Sequence, residues 1–337
     1  MDDWLEGCEA AGIPVQELTT SEALRREPLV HPKIGRAFQV PDASCDSFAL
    51  CGALRRSAES EGATFLTYHR VDGFYREDGR ISGLRTTDLR TGETEDVRAS
   101  FVVNATGPWT AEVGKKAGVE FRMVLSRGAM FAFNGQWATA IVGRLRPPGD
   151  GDIFVPLEYL GVAGTTSVPT EDPDDIRIED WERERVLAET ETFLPGIRQG
   201  KILRAWAGVR PLYDPATQSS FAEGTHVDNR KATRTFDILD HAARDGVEGI
   251  VSIVGGKLTT FRLMAERTAD AVCSKVGVVQ PCTTATTEIA PAHARGARGG
   301  SSDEGGGILG DPRGLPSAPT AGGGSVSQSP AKGGAMS

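Results

Sequence analysis

The spacing of apolar positions changes along the chain, and its first third alternates between helical and extended patterns. Apolar side chains recur every three or four positions behind Asp46 and Ser47, which predicts a helix capped by one of these two residues. Residues 63–68 have the extended pattern of a strand. The turn-forming segments 77–80 and 90–93 predict antiparallel strands around them. This part of the chain therefore combines helices with strands.

The middle of the chain favours strands, and the mixed pattern returns after it. Extended apolar runs predict strands at residues 128–133, 152–156 and 160–164. One helix interrupts them, with Asp180 as its cap and a predicted stripe formed by Trp181, Arg185, Leu187-Ala188 and Phe193. A buried strand at residues 249–254 and a helix beginning at Leu258 are predicted next.

These changes divide the sequence into four regions, residues 1–120, 121–235, 236–290 and 291–337. The first and third share the helix–strand pattern, so we expect them to form one domain of α/β class with α+β elements. The second is richer in predicted strands and is expected to form a separate domain. The last holds 13 of the 41 glycines and almost no large apolar residues, so we expect it to be disordered.

Composition excludes several classes of function. The net charge of −9 argues against a nucleic-acid partner, which requires a basic face. No run of eighteen apolar residues is present, and the acidic start lacks the features of a signal peptide. The five cysteines include no CxxC pair, so neither a disulfide framework nor a metal site is expected, and a reducing cytoplasm is the default location.

Two strand ends carry glycines where a ligand could approach the backbone. The apolar run at residues 101–104 leads into Ala-Thr-Gly at Gly107, followed by a proline typical of a helix start. The predicted strand at 249–254 leads into Gly255-Gly256-Lys257 and then a helix, whose first amides would favour developing negative charge. Each segment also has a simpler interpretation, a tight turn that requires glycine, with a solvated lysine in the second case.

Two charged residues are candidates for chemistry. Arg210 lies between Val209 and Pro211, an unusual place for a solvated charge. Its guanidinium could bind a phosphate or carboxylate, or it could form a structural salt bridge. His241 lies among carboxylates and could act as a base, although an isolated loop histidine is more often a surface residue.

Taken in order, the motifs resemble one family, the FAD-dependent glycerol-3-phosphate dehydrogenases, and within it the A-type subunit of the anaerobic enzymes. The resemblance covers about residues 1–290. It rests on Val-Asn-Ala-Thr-Gly-Pro-Trp (103–109), Gly-Thr-Thr (164–166), Ala-Gly-Val-Arg-Pro-Leu (207–212), Asp-His-Ala-Ala-Arg-Asp-Gly (240–246), Gly-Gly-Lys-Leu-Thr-Thr-Phe-Arg-Leu-Met-Ala-Glu (255–266) and Pro-Cys-Thr-Thr (281–284). The absence of a histidine near Ser126 favours this anaerobic type over the aerobic type, which has a single subunit.

This resemblance implies a fold like that of D-amino-acid oxidase. It implies an FAD-binding domain of the glutathione-reductase type, here lacking its first βαβ unit, interwoven with a substrate domain built on a mixed sheet. It implies oxidation of sn-glycerol 3-phosphate to dihydroxyacetone phosphate, with a hydride passing to flavin N5 and electrons to quinone through partner subunits. Arg210 and Lys257 match residues that face the substrate near the flavin, and His241 is retained as a candidate base. The residues expected to contact the cofactor are Gly107, Gly255, Gly256, Lys257, Leu258 and Thr259.

The sequence departs from the family pattern at its start. The strand–GxGxxG–helix unit that would hold the FAD pyrophosphate is absent, and Gly7, Gly12 and Gly35 do not supply it. We therefore expect this chain, expressed as written, to hold FAD weakly, and an inactive fragment remains an alternative. A further alternative is an amine or hydroxy-acid oxidoreductase of the same fold. The resemblance places the enzyme in the cytoplasm, at the inner face of the membrane through partner subunits.

Overall fold

A computed structural model describes residues 2–157, 159–215 and 235–289, which belong to one compact unit. The segment predicted to be a disordered tail, residues 291–337, lies outside the described residues. The helices are α1 (Asp2–Ala10), α2 (Thr20–Arg26), α3 (Ser47–Ser60), α4 (Thr110–Lys116), α5 (Asp180–Glu191), α6 (His241–Asp245) and α7 (Phe261–Val276). Short 3-10 helices cover Gly107–Trp109, Ile197–Gln199 and Leu258–Thr260.

The strands of the described residues form four sheets. They are β1 (Gln16–Leu18), β2 (Ala37–Gln39), β3 (His69–Glu77), β4 (Arg80–Asp88), β5 (Thr94–Arg98), β6 (Val102–Asn104), β7 (Val124–Asn134), β8 (Val142–Gly143), β9 (Ile153–Leu157), β10 (Leu160–Gly164), β11 (Val168–Thr170), β12 (Ile202–Leu212), β13 (Phe236–Asp240) and β14 (Ile250–Gly255). The mixture of helices with parallel and antiparallel strands agrees with the predicted α/β class.

The sheet that positions the candidate site has the order β13-β14-β6. Strands β14 and β6 are parallel, with Ile250 opposite Val102 and Ser252 opposite Asn104, whereas β13 runs antiparallel to β14. Because parallel strands end at the same edge, the segments that follow β6 and β14 leave the sheet side by side.

The largest sheet is built around β7, an eleven-residue strand. It pairs with β12 along nearly its whole length, and with β10 and β11 on successive parts of its length. Strands β9 and β8 extend this sheet beyond β10, all in antiparallel pairs. The remaining sheets are the pair β1-β2 and the meander β3-β4-β5.

Two hydrophobic clusters lie on the two main sheets. The first includes Ile81, Val102, Ile250 and Val254 and packs around β6 and β14. The second lies between the large sheet and α5, and it is formed by Ala129, Phe131, Phe133, Ala138, Phe154, Ala163, Val186, Leu187, Phe193, Leu194 and Ile197. These separate cores support the predicted division into two domains, which stays a prediction.

Several elements confirm the sequence-based predictions. Asp46 caps α3 by accepting from the amides of Phe48 and Ala49. The turns at residues 77–80 and 90–93 connect β3 to β4 and β4 to β5. The strands predicted at residues 160–164 and 249–254 correspond to β10 and β14.

Three predictions about secondary structure are wrong. Asp180 is the first residue of α5 and not its cap, which is Glu179. Residues 63–68 form no strand, because no neighbouring strand among the described residues pairs with their backbone, and Phe65 and Leu66 are 45% and 41% exposed. The buried face of α5 agrees only in part with the predicted stripe, since Leu187 and Phe193 are buried and Arg185 and Ala188 are exposed. Trp181 is exposed, whereas Glu182, Val186, Leu187 and Thr190 are buried. The error arose because the buried face includes a glutamate, which an apolar pattern cannot reveal.

Candidate functional site

The ends of β6 and β14 form an edge lined by glycines, which we call the glycine edge. Gly107 follows β6, Gly255 is the last residue of β14 and Gly256 comes directly after it. The parallel pairing of the two strands brings these segments together. All three have positive φ values, +61°, +74° and +82°, in the left-handed region that favours glycine. The backbone of this edge therefore depends on glycine at each position.

The glycines differ in what surrounds them. A Cβ atom at Gly255 would lie 2.5 Å from the carbonyl oxygen of Thr235, and one at Gly256 would lie 2.4 Å from the sulfur of Met264. At Gly107 an added Cβ would meet nothing within 4 Å. Gly255 and Gly256 thus permit close packing of the protein itself, whereas Gly107 borders open space where a flat ligand could approach the backbone.

Lys257, Leu258 and Thr259 continue this edge and are exposed. The amide of Lys257 donates to the hydroxyl of Thr260 at 3.1 Å, which fixes the start of the 3-10 helix that leads into α7. An ammonium group and the amides at the start of a helical segment give this edge positive character. A positive edge of this kind could hold an electron-rich group of a cofactor.

Arg210 is half-buried on β12, opposite Ser126 of β7. Its Nη2 donates to the hydroxyl of Thr165 and, at 3.2 Å, to the carbonyl oxygen of Thr166. The guanidinium lies over Gly128, where an added Cβ would come within 2.3 Å of Nη2. Any side chain at position 128 would displace the guanidinium, so Gly128 and the two threonines together define where it lies.

A buried ionic network lies behind Thr166. The Thr166 hydroxyl donates to Glu182 at 2.6 Å and accepts from the amide of Ala129 at 2.9 Å. The other oxygen of Glu182 accepts from Arg127 at 2.8 Å, and Arg127 also donates to Asp175 at 3.1 Å. Arg127, Glu182 and Thr166 are almost fully buried, so this ion pair stands in a medium of low polarity.

The pKa of Asp175 reflects its ionic surroundings. Hydrogen bonds from Arg177 and then from Arg127 hold the pKa of this carboxyl far below its usual value, against the opposing effect of burial. Asp175 is therefore ionised throughout the physiological range and gives Arg127 a lasting counter-charge beside Glu182.

His241 occupies a different environment from the one expected of an exposed base. Its side chain is 0% exposed at the start of α6 and stacks on Phe121. One ring nitrogen, Nδ1, contacts Asp245 at 2.6 Å and the other, Nε2, contacts Ser252 at 2.8 Å. Burial lowers the pKa of this imidazole, more than the neighbouring carboxylate of Asp245 raises it. His241 is therefore neutral at physiological pH, behind the glycine edge.

The structure thus brings most of the predicted residues towards one place. Strand β12 contacts both the Gly107–Trp109 turn and β14, which puts the strand of Arg210 beside the glycine edge. A hydrogen bond of 3.2 Å from Trp109 to Asp174 also ties that turn to the loop before α5. His241 does not share the exposed surface of this group. Gly128 and Glu182 were missed, since only their contacts with Arg210 and Thr166 identify them.

Comparison with known proteins identifies the family. The model of the family described as FAD dependent oxidoreductase matches residues 1–271. This chain belongs to that family. Its fold is accordingly the FAD-binding fold of the family, as predicted, and FAD is the cofactor expected at the glycine edge. The residues that form the glycine edge all lie within the matched range.

The relatives confirm the resemblance found in the motifs. The chain is 41% identical over 290 residues to the A1 subunit of the anaerobic glycerol-3-phosphate dehydrogenase of Haloferax volcanii, covering 83% of this chain and 48% of that protein. It is 38% identical over 284 residues to the A-type subunit of the Escherichia coli K12 enzyme, covering 84% and 51%. The chain therefore spans about half the length of the curated relatives it matches.

Solved structures agree with the fold. The glycerol-3-phosphate dehydrogenase from Bacillus halodurans complexed with FAD has a TM-score of 0.66 at 26% identity, covering 81% of this chain and 54% of that one. Glycine oxidase from Geobacillus kaustophilus has a TM-score of 0.60 at 22% identity, over 84% and 68% respectively, which supports the fold alone. Within the described ranges, none of the helices has the length and apolarity required to cross a bilayer.

Proposed function

We propose that this flavoprotein oxidises sn-glycerol 3-phosphate to dihydroxyacetone phosphate and passes the electrons to quinone through partner subunits. The observation that carries the proposal is the placement of Arg210, whose half-buried guanidinium is held by Thr165 and Thr166 on a strand beside the glycine edge. The similarity to the corresponding subunits of two anaerobic glycerol-3-phosphate dehydrogenases supports the same substrate.

Arg210 is proposed to bind the phosphate of the substrate. A guanidinium matches two phosphate oxygens at once, and partial burial strengthens such a contact by reducing competition from water. Because Gly128 and the threonines fix its position, the bound phosphate would orient the rest of the molecule towards the glycine edge. The role of Arg210 in this scheme is recognition and alignment.

Lys257 is proposed to act at the cofactor edge, with Leu258 and Thr259. When bound, FAD supplies the acceptor, at flavin N5, for the hydride that leaves C2 of the substrate. Lys257 and the amides at the start of the following helical segment would stabilise negative charge that develops on the ring edge as this transfer proceeds. Gly107, Gly255 and Gly256 would allow the ring to lie close to the backbone.

The assignment of His241 as a catalytic base stays a prediction. A base must reach the proton that it removes, and His241 is fully buried with both ring nitrogens engaged. Its surroundings support a role behind the cofactor edge. The proposed location is the inner face of the cytoplasmic membrane, reached through partner subunits.

The experiment is a comparison of substrates with the full-length flavoprotein in a dye-linked assay. We expect oxidation of glycerol 3-phosphate and no turnover of glycine, sarcosine or small hydroxy acids. Activity with an amino acid or hydroxy acid alone would contradict the proposal, and Arg210 would then bind a carboxylate. Glycerol without its phosphate serves as the matched control, because it retains the oxidised carbon and lacks only the group that Arg210 binds.

A further inference from the structure

A chain of buried hydrogen bonds links His241 to the loop that carries Gly107. It runs from Asp245 through His241 and Ser252 to Asn104, and we call it the relay. His241, Ser252 and Asn104 are at most 2% exposed, so these contacts form away from water. The relay joins α6, β14 and β6, and it ends where the chain leaves the sheet towards the glycine edge.

The direction of the hydrogen bonds around His241 follows from which groups can donate and which can only accept. The carboxylate of Asp245 can only accept, so Nδ1 of His241 donates to it at 2.6 Å. Burial lowers the pKa of the imidazole, so Nε2 carries no proton and accepts from the Ser252 hydroxyl at 2.8 Å. The relay is thus polarised from Ser252 towards Asp245, and it requires neutral histidine in one tautomer.

The other half of the relay orients Asn104. Its amide nitrogen donates to the carbonyl oxygen of Thr110 at 2.9 Å and to the Ser252 hydroxyl at 3.3 Å. Since a carbonyl oxygen can only accept, the Asn104 amide has one orientation, and its oxygen accepts from the Thr106 hydroxyl at 2.8 Å. Thr110 in turn donates from its hydroxyl to the carbonyl oxygen of Gly107 at 2.6 Å.

We infer that His241 is a positioning residue that orders the loop from Asn104 to Gly107 for the flavin, through Ser252 and Asn104. Asn104 stabilises the loop through hydrogen bonds with Thr106 and Thr110. His241 in turn orients the Ser252 hydroxyl that contacts Asn104. A loop held in its bound conformation binds a ligand more tightly, because less conformational freedom is lost on binding. The inference rests on the proposed contact between Gly107 and FAD.

The test measures FAD affinity in the full-length flavoprotein after the cofactor has been removed and added back, by the change in flavin fluorescence. Ser252→Ala removes the central hydroxyl with little change in volume and leaves the donor of Asn104 without this partner. We expect its Kd for FAD to rise about tenfold. Thr268→Val is the matched control, since among the described residues its buried hydroxyl bonds only to the Met264 carbonyl of its own helix, and its Kd should stay within about twofold.

Two substitutions at His241 separate the two ends of the relay. In His241→Gln the amide oxygen can occupy the place of Nε2 and accept from Ser252, whereas in His241→Asn the amide can replace only the contact of Nδ1 with Asp245. We expect the glutamine variant to keep FAD affinity within about threefold of wild type and the asparagine variant to lose about tenfold. A purely structural role would affect both variants alike and would lower their urea midpoints without this order in Kd.

Equal affinity for FAD in wild type and Ser252→Ala would overturn the inference, whatever the outcome at position 241. Equal losses in the glutamine and asparagine variants would also overturn it, because the contact with Ser252 would then not matter. If wild type itself binds no FAD, the proposed function fails, and the inference fails with it. The two failures are distinguishable, since only failure of the proposed function leaves the wild-type protein without flavin.

Discussion

Two buried polar networks of the described residues lie behind the candidate site, and they differ in whether their members are charged. Behind the glycine edge, the relay connects neutral side chains and ends on the partly buried Asp245. Behind Arg210, the network is ionic, with Arg127 between Glu182 and Asp175. In the relay both ring nitrogens of His241 have partners. In the ionic network Nε of Arg127 is buried and has no hydrogen-bond partner in the described part of the chain.

This difference predicts different consequences of damage. Loss of one ion leaves its partner as an uncompensated charge in a medium of low polarity, which costs several kcal/mol. Loss of one member of a neutral relay leaves an unsatisfied hydroxyl or amide, at about 1–3 kcal/mol. The ionic network should therefore dominate the stability of the large sheet, and the relay should mainly affect the order of one loop.

The largest effect is expected from Glu182→Ala. The substitution removes a counter-charge of Arg127 and the acceptor of the Thr166 hydroxyl, so the free energy of unfolding should fall by about 3–5 kcal/mol. Urea unfolding of the full-length protein measures this. Glu184→Ala is the control on the same helix, because Glu184 is exposed and pairs with Arg183 and Arg198 at the surface. It should change stability by less than about 1 kcal/mol. Equal losses in both variants would contradict the comparison.

Arg210→Ala should damage activity and leave folding largely intact. Loss of a charge-assisted contact to the phosphate is expected to cost about 3 kcal/mol of transition-state stabilisation. The value of kcat/KM for glycerol 3-phosphate should therefore fall roughly 150-fold. Steady-state kinetics with the flavin-loaded enzyme tests this. Arg204→Ala, an exposed arginine on the same strand, is the control and should have wild-type kinetics. Unchanged kcat/KM in the Arg210 variant would make this residue structural.

Lys257→Met should slow reduction of the flavin more than it weakens retention of FAD. The ammonium is proposed to stabilise charge that appears only during hydride transfer, so we expect a reduction rate about 30-fold lower, or ~2 kcal/mol. Stopped-flow absorbance at saturating substrate measures the rate, and the flavin content of the same sample measures retention. Lys201→Met is the control, because Lys201 is an exposed lysine that is not part of the proposed site. Wild-type reduction by the Lys257 variant would refute its role.

The smallest effect is a pH dependence that separates the two networks. The pKa of His241 is lower in the folded protein than in the unfolded chain, chiefly by burial, with Arg244 acting in the same direction and Asp245 and Asp240 opposing. Its contribution to stability is complete above the unfolded pKa of about 6.5. As pH falls below that value, the unfolded chain takes up a proton first, and stability declines by at most about 1.4 kcal/mol per pH unit.

The Asp175 carboxyl also loses its contribution as pH falls, but in a lower pH range. Its pKa is depressed in the folded protein, so its contribution is present above the unfolded pKa of about 3.9 and is lost only at lower pH. Urea unfolding between pH 7.5 and 5.0 should therefore report His241 without Asp175. The control is His241→Gln, which should flatten the decline. The same slope in this variant and wild type would assign the decline to another group.

The sequence predicted the parts of the fold that depend on local pattern. Asp46 as a cap, the turns around β4 and the glycine-terminated strand β14 were all predicted correctly. Residues 63–68 were predicted as a strand and are not one, because a strand requires a neighbour that no local pattern specifies.

The candidate site was predicted as separate residues, and its supporting contacts were not. The motifs identified Arg210, Lys257 and the glycines of the glycine edge, because the residues next to each of them in the sequence form a recognisable pattern. Glu182 has no such signal, because a buried glutamate in a helix has the same sequence pattern as a solvated one until Arg127 and Thr166 are placed beside it. Likewise, His241 is distinguished from a surface histidine only by its burial and by contacts with residues such as Phe121 and Ser252, which the sequence does not place beside it.

The pairing of β6 with β14 has a consequence for the order of folding. Asn104 and Ser252 form a hydrogen bond although 148 residues separate them, whereas the large sheet is complete within residues 124–212. Closing so long a loop is entropically unfavourable, and contacts of high sequence separation form slowly. During synthesis the large sheet can thus assemble while β14 is still inside the ribosome. The glycine edge forms only afterwards, so flavin uptake at this edge should follow release of the segment after β14.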